Sequence, residues 1–185
     1  MKKSFPLFLL LFLTSFCFSQ TDTEEKLNPG GKRNLIAAGI TIPSGDFSST
    51  HFGGFSTIYA WSNNRFGLLT TMPAKKIGFT ANSGIAYYFG KKETIGTGSY
   101  QYPAYIFLHI YAGVIYNAGK KVNICLTAGP AAGIYNSNTQ FNTGASLQCN
   151  YYISPKIAIT PGLIMMKETG SDAIWSGSVS AAMAF

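Results

Sequence analysis

The sequence predicts an all-β fold, a transmembrane up-and-down antiparallel β-barrel of eight or ten strands. Three observations support this prediction. Apolar side chains alternate with small or polar ones in most segments after residue 33. Charged residues make up only 11% of the chain, against roughly 25% in an ordinary soluble domain. No apolar run after the N-terminus is long enough for a transmembrane helix, and a closed barrel is the other backbone arrangement that lipid tolerates.

The N-terminus has the pattern of a secretory signal peptide. Lys2 and Lys3 precede a largely apolar run, and the small residue Ser19 lies before the expected cleavage site. The apolar run is shorter than the roughly 20 residues that a membrane-spanning helix needs. Cleavage would remove two of the 14 basic residues and leave 12 against 7 acidic ones. The predicted domains are a signal peptide at 1–19, a flexible lead-in at 20–33 and the barrel at 34–185.

The last twelve residues show the clearest strand pattern. A strand sends alternate side chains to opposite faces, so this segment has a mainly apolar face and a small, serine-rich face. Such a division is typical of a strand with one face towards lipid and the other towards a barrel interior. The apolar face consists of Trp175, Gly177, Val179, Ala181, Met183 and Phe185, and the other face of Ile174, Ser176, Ser178, Ser180, Ala182 and Ala184.

Nine segments are predicted as strands, although single-chain bacterial barrels have even strand numbers. A weak strand at 94–100 would give ten, whereas a loop in place of one segment before residue 101 would give eight. Five predicted strands end on an aromatic residue, and we expect these ends to form one girdle at a shared membrane interface. Trp175, which begins the last strand, is the sixth predicted girdle residue. The nine segments lie at about 34–42, 53–61, 65–72, 77–89, 102–116, 122–134, 141–153, 156–166 and 174–185, and the five aromatic ends are Trp61, Phe89, Tyr116, Tyr151 and Phe185.

The phrase I-T-I-P-S-G-D-F at residues 40–47 resembles the first corner of small outer-membrane β-barrels of Bacteroidota. The strand that ends on Phe185 is similar to the closing strand of bacterial outer-membrane barrels, in which the terminal aromatic belongs to the signal read by the insertion machinery. The resemblance implies a protein of the cell outer membrane with a periplasmic lead-in and mature N-terminus. It also implies outer-membrane lipid and the barrel-assembly machinery as partners, with the aromatic girdle at the periplasmic rim.

Few residues are candidates for chemistry. Cys125 and Cys149 fall on opposite faces of neighbouring predicted strands, so no disulfide is expected. His51 and His109 lack the spacing of a metal site, and the acidic residues fall in the lead-in, loops or turns. Only Asp46 shares a loop with a histidine. We therefore expect no catalytic, metal or cofactor site, and no nucleic-acid partner because the basic residues form no stripe with interleaved aromatics.

The leading functional hypothesis is a small non-enzymatic integral barrel with a structural or anchoring role. From the resemblance alone, it could also serve as an accessory to an envelope complex for secretion or conjugation. One alternative is an enzyme that modifies lipid A or phospholipid with His51 or His109, and another is a small pore or solute binder. A soluble β-sandwich or a soluble periplasmic barrel is a further alternative, but the outward sets contain large apolar residues such as Phe141 and Leu147.

Overall fold

A computed structural model describes residues 32–63, 77–119, 121–168 and 172–185. The predicted signal peptide, nearly all of the lead-in and the predicted strand at 65–72 lie outside these residues. The described chain is all-β apart from one short helix of 4 residues. Within the described ranges, no helix has the length and apolarity needed to cross a membrane.

Eight long strands form one closed barrel, and two short strands form a separate hairpin. The barrel strands are β1 (Lys32–Ser44), β2 (His51–Asn63), β3 (Ile77–Gly90), β6 (Tyr105–Asn117), β7 (Val122–Tyr135), β8 (Asn138–Tyr152), β9 (Ile157–Lys167) and β10 (Ala173–Ala184), the hairpin strands are β4 (Lys92–Ile95) and β5 (Gly98–Gln101), and the helix α1 spans Phe47–Thr50.

Every barrel strand pairs antiparallel with the barrel strands before and after it in the chain. β1 closes the cylinder by pairing with β10, from Leu35 opposite Ala184 to Ser44 opposite Trp175. The fold is therefore an up-and-down barrel of eight strands, which confirms the prediction of eight and shows that the prediction of ten is wrong.

The segment predicted as a possible tenth wall strand, 94–100, is not part of the wall. Residues 92–101 form the β4–β5 hairpin, whose strands pair only with each other. Gly96 has a φ of +61°, a value that glycine tolerates and that permits the tight turn between the two strands. Because β2 pairs directly with β3, the described strands close the wall by themselves.

The barrel has two ends, which we name the terminal rim and the loop rim. The terminal rim holds the C-terminus, where the amide of Asn34 donates to the carbonyl oxygen of Phe185 at 3.1 Å. The loop rim is the opposite end, and it holds α1 and the β4–β5 hairpin. The strand ends at the terminal rim are Lys32, Asn63, Ile77, Asn117, Val122, Tyr152, Ile157 and Ala184.

Phe89 lies at the loop rim, opposite Phe52 at the start of β2. The expectation that it shares one end of the barrel with Trp61, Tyr116 and the other strand-ending aromatics is therefore wrong. The physical reason is that transmembrane barrels carry aromatic residues at both interfaces, so an aromatic strand end does not reveal the direction of its strand. With Phe89 at the loop rim, no additional strand is needed between β3 and β6.

The two faces of the wall follow the predicted alternation. On β10, Phe185 is 62% exposed and Val179 is 50% exposed, whereas Ser180 is 3% exposed. Charged residues occur in the described barrel strands only at the beginning of β1 and at the last residue of β9. The wall between the two rims therefore presents an uncharged, apolar exterior.

Two prolines interrupt the pairing within the wall. The β6–β7 register passes from His109 opposite Ala131 to Ala112 opposite Ala128, and the gap faces Pro130. The β8–β9 register has a similar gap at Pro161. Proline has no backbone N–H to donate to a neighbouring strand, so each gap follows from the residue itself.

The seam between β1 and β10 predicts a strict requirement for glycine at position 39. A Cβ atom there would lie 2.1 Å from the carbonyl oxygen of Val179 and 2.5 Å from Oγ of Ser180. We expect Gly39→Ala to lower the free energy of unfolding by about 1–3 kcal/mol, because the strands must separate to accept the methyl group.

The measurement is a urea titration of the refolded barrel in detergent micelles. Ala38→Val is the matched control, since Ala38 directly precedes Gly39 and faces outward. A G39A barrel as stable as the wild type would contradict the close approach of the two strands.

Candidate functional site in the lumen and at the loop rim

Side chains fill the interior, as expected for eight strands. Cavities beside Phe107 and beside Tyr152 measure only about 10 and 20 Å³, space for about one water molecule at most. The buried apolar side chains nearer the loop rim are Ala86, Tyr88, Tyr105, Phe107, Tyr111, Ala131, Ile164 and Met166, and those nearer the terminal rim are Leu35, Ala37, Ile58, Tyr152, Ala158, Ala182 and Ala184.

A cluster of aromatic side chains closes the lumen at the loop rim. Gly45 has a φ of +65° and turns the chain from β1 into α1, which carries Phe47 over the opening. The Phe47 ring stacks on His51 with 4.4 Å between centroids and meets Tyr88 and Tyr105 edge-on at 5.1 and 5.2 Å. We call this cluster the aromatic plug, and it consists of Phe47, His51, Tyr88, Tyr105 and Tyr135.

Hydrogen bonds fix the aromatic plug to the surrounding loops. His51 Nε2 lies 3.1 Å from the carbonyl oxygen of Pro103, which can only accept, so Nε2 donates. The Thr50 hydroxyl lies 2.8 Å from Nδ1 of the same ring and donates to it. Tyr105 donates to Oε1 of Glu168 at 2.6 Å. Both nitrogens of His51 therefore bond structural partners, and neither contacts a carboxylate.

Asp46 and His51, which the sequence places near each other, do not form an acid–base arrangement, because the His51 nitrogens bond Thr50 and Pro103. Asp46 occupies the N-cap position of α1 but makes no side-chain capping bond. The neighbouring serines anchor the turn instead, since the Ser48 hydroxyl donates to the carbonyl oxygen of Gly45 and the Ser49 hydroxyl to that of Asp46, each at 2.6 Å. The loop is thus organised to hold Phe47 in place.

A polar bridge crosses the lumen beneath the aromatic plug. The Tyr88 hydroxyl donates to Oγ of Ser176 at 2.7 Å, and Oγ1 of Thr41 lies 3.1 Å from the same hydroxyl. These contacts join β3, β10 and β1 through buried groups. Deeper in the lumen, Asn82 donates to Thr127 at 3.1 Å, and Thr127 bonds Ser146 at 2.7 Å.

His109 lies in the lumen wall and is only 4% exposed. Its ring lies between Phe107 and Tyr111, with centroid distances of 5.3 and 4.6 Å. A Cβ at Gly84 would lie 2.6 Å from its Cε1, so glycine there makes room for the ring. Neither ring nitrogen has a hydrogen-bond partner among the described residues. The ring is held by packing, and no carboxylate of the described residues bonds it to orient it as a catalytic base.

Arg33 closes the lumen at the terminal rim. Its guanidinium carbon lies 4.4 Å from the centroid of the Tyr152 ring, and its Nη2 donates to the carbonyl oxygen of Pro155. Stacking over an aromatic face and donating to a carbonyl are both favourable for a planar guanidinium. β1 begins at Lys32, so Lys32 and Arg33 belong to the wall rather than to the predicted lead-in.

In the described part of the chain, Cys125 and Cys149 are not joined by a disulfide, and they lie on opposite faces of the wall, as predicted. Cys125 is paired with Gln148 on the lumen side, whereas Cys149 is paired with Ile124 on the outer side. Asn150 donates to Sγ of Cys125 at 3.5 Å. Within the described ranges, no group of three or more histidine, cysteine or acidic side chains could hold a metal ion.

The structure divides the six predicted girdle residues between the two rims. Trp61, Tyr116, Tyr151 and Phe185 lie on outward faces near the terminal rim, and Phe89 and Trp175 lie near the loop rim. The predicted girdle did not include the outward aromatics Phe52, Phe55, Tyr59 and Tyr87, and sequence reasoning missed the plugging role of Phe47. The aromatic spacing in F-S-T-I-Y at 55–59 was an available signal for two of them, whereas no periodicity could place Phe47 inside the barrel.

No family model matches this chain, and no curated protein matches it in sequence. Solved structures match its fold. The crystal structure of Ail, the attachment invasion locus protein of Yersinia pestis, in complex with the heparin analogue sucrose octasulfate aligns with a TM-score of 0.57 at 11% identity, covering 84% of this chain and 99% of that one. The outer membrane protein OprG from Pseudomonas aeruginosa aligns with a TM-score of 0.52 at 10% identity, covering 87% and 99%.

The backbone structure of Ail in a phospholipid bilayer nanodisc also matches, with a TM-score of 0.52 at 11% identity and coverage of 83% and 99%. These comparisons show the architecture. The chain has a closed eight-stranded antiparallel barrel similar to the barrels of these bacterial outer-membrane proteins, and the similarity extends over almost the whole length of each of them.

The polar bridge generates a prediction. Tyr88→Phe removes the hydroxyl that joins Thr41 and Ser176, so the buried Oγ of Ser176 loses its donor, whereas Thr41 keeps its bond to the carbonyl oxygen of Gly177. We expect the free energy of unfolding to fall by about 1–3 kcal/mol. The measurement is again a urea titration in micelles. Tyr87→Phe, on the outward face of the same strand, should leave the midpoint unchanged, and equal midpoints for both variants would argue against the bridge.

Proposed function

We propose that this chain is a small integral protein of the bacterial outer membrane that acts without catalysis, as an anchor or as an accessory to a larger envelope complex. The observation that carries the proposal is the wall, which has an uncharged apolar exterior with aromatic residues near both rims. A lipid-embedded barrel needs this exterior, because charged side chains facing hydrocarbon are costly. The likeness in fold to Ail and OprG supports the same location.

The lumen supports an anchoring role rather than transport. The aromatic plug closes the loop rim, Arg33 and Tyr152 close the terminal rim, and buried side chains fill the space between. Any partner therefore has to meet the outer wall or the rims. An accessory role in secretion or conjugation is consistent with the resemblance of the I-T-I-P-S-G-D-F corner to small barrels of Bacteroidota.

The proposal predicts a depth-dependent cost for charge on the outer face of β10. Val179 is outward and lies in the middle of the strand, whereas Ala173 is outward and begins it. Val179→Lys should lower the free energy of unfolding in lipid vesicles by about 2–4 kcal/mol, and the matched Ala173→Lys by about 0–1 kcal/mol, because cost falls towards the interface. Equal, small effects of the two variants would indicate an exterior in contact with water.

Heat-modifiable gel mobility of the refolded protein in the same vesicles provides the first check. A folded barrel should migrate differently before and after boiling, and V179K should reduce the fraction of the folded form. Identical migration of boiled and unboiled wild-type protein would refute the membrane-barrel proposal.

Because its lumen is filled, the protein should conduct no ions in planar-bilayer recordings. Wild-type protein should give no discrete conductance steps. Phe47→Ala, which opens the loop end only, should also be silent because Arg33 and Tyr152 still close the other end. Reproducible steps from the wild type would favour the pore alternative instead.

A further inference from the structure

A cleft of about 490 Å³ lies outside the barrel wall at the loop rim, between the wall and the β4–β5 hairpin. We call it the rim cleft. Its barrel side is formed by outward aromatic side chains of β2 and β3, and its other side by the hairpin and the residues that follow it. The lining side chains used below are Phe52, Tyr87, Phe89, Lys92, Gln101 and Tyr102.

The aromatic side of the rim cleft forms a continuous apolar surface. The rings of Phe52 and Phe89 stack with 5.5 Å between centroids, and Tyr87 meets Phe89 edge-on at 5.2 Å. Phe55 extends the surface down the wall through an edge contact with Phe89 at 5.8 Å. The rim cleft therefore opens onto the apolar exterior, at the end of the barrel where a bilayer changes from hydrocarbon to head groups.

The polar side of the rim cleft is held in place by hydrogen bonds. Gln101 donates to the carbonyl oxygen of Gly90 at 2.6 Å. The amide of Tyr102 donates to the carbonyl oxygen of Lys91 at 2.9 Å, and the amide of Lys91 donates to that of Thr50 at 2.8 Å. The hairpin is thus fixed to the rim next to the aromatic surface.

The charges around the rim cleft leave one cation available. Tyr102 donates to Oε2 of Glu93 at 2.9 Å, and this bond to the carboxylate raises the pKa of the Tyr102 hydroxyl. The Lys91 ammonium donates to the carbonyl oxygen of Ser48. The exposed ammonium of Lys92 has no hydrogen bond or ion pair within the described ranges. A ligand in the rim cleft would therefore meet aromatic rings at one end and a free positive charge at the other.

We propose that the rim cleft binds the phosphate-bearing head group of a membrane lipid, with Lys92 at the phosphate and an acyl chain along Phe52, Phe89 and Phe55. A lysine ammonium binds phosphate as a point charge, and the aromatic surface leads from it directly into the apolar wall. This inference rests on the proposed membrane location, since only a bilayer would present such a lipid at this height.

The test compares two lipids with identical acyl chains in native mass spectrometry of the barrel released from detergent micelles. Phosphatidic acid should remain bound in preference to diacylglycerol, which lacks the phosphate. Lys92→Gln should reduce this preference by about tenfold, the loss expected for a charge-assisted hydrogen bond. Lys156→Gln is the matched control, because Lys156 is an exposed lysine in the turn at the terminal rim.

A second pair of variants examines the apolar part of the rim cleft. Phe52→Ser should weaken binding of both lipids, whereas Phe141→Ser should not, since Phe141 is exposed on the outer face of β8 and does not line the rim cleft. Unchanged preference in K92Q, or equal retention of phosphatidic acid and diacylglycerol by the wild type, would overturn the proposal.

Two further readouts separate the remaining outcomes. Inorganic phosphate should not displace phosphatidic acid at equal concentration; displacement that depends on Lys92 would identify a site for free phosphate and overturn the lipid assignment. Heat-modifiable mobility is measured on the same samples. A mobility shift without lipid preference overturns this inference alone, whereas the absence of a shift overturns the proposed function and this inference with it.

Discussion

The pairing of β1 with β10 is the constraint on which the rest of the structure depends. An open sheet of these eight strands would leave two edges of unpaired backbone groups, which lipid cannot satisfy. Closure removes both edges, and the reciprocal bonds of 3.1 and 3.0 Å between Asn34 and Phe185 extend it to the last residue. The seam is tight enough to require glycine at position 39. Closure at eight strands then sets a narrow interior that side chains can fill.

That narrow interior determines which residues have to be polar, small or aromatic. Tyr88 reaches across it to Ser176, and Gly84 leaves space for the ring of His109. The histidines, which sequence chemistry marks as the natural catalytic candidates, are held by packing and by structural hydrogen bonds. The geometry around them therefore contributes to a filled barrel, and under the proposed function a partner would meet the outer wall or the rims.

Much of the wall could be predicted from the sequence, because period-two alternation is a local property that a strand's two faces impose directly. The assignment of Val179 outward and Ser180 inward needed no knowledge of the other strands. The position of Phe89 could not be obtained this way, since aromatic residues suit both interfaces and only the global strand order distinguishes them. The placement of Phe47 over the end of the lumen and the folding of 92–101 into a hairpin depend on turns at Gly45 and Gly96, where backbone conformation overrides alternation.

The wall and the loop rim differ in what constrains their residues, and the loop rim is where a role beyond forming the barrel can be identified. The wall has to close on itself and present an apolar exterior. These two requirements account for most of its residues. The loop rim has a helix, a hairpin and charged side chains that closure does not require. Its hairpin is nevertheless fixed in place, because Lys91 bonds Thr50 at the end of α1 and Gln101 bonds Gly90 at the end of β3, and this order costs conformational entropy. An ordered hairpin whose Lys92 lines the same cleft as Phe52 and Phe89 is what the proposed lipid site requires, whereas a simple connection between two strands would not need this order.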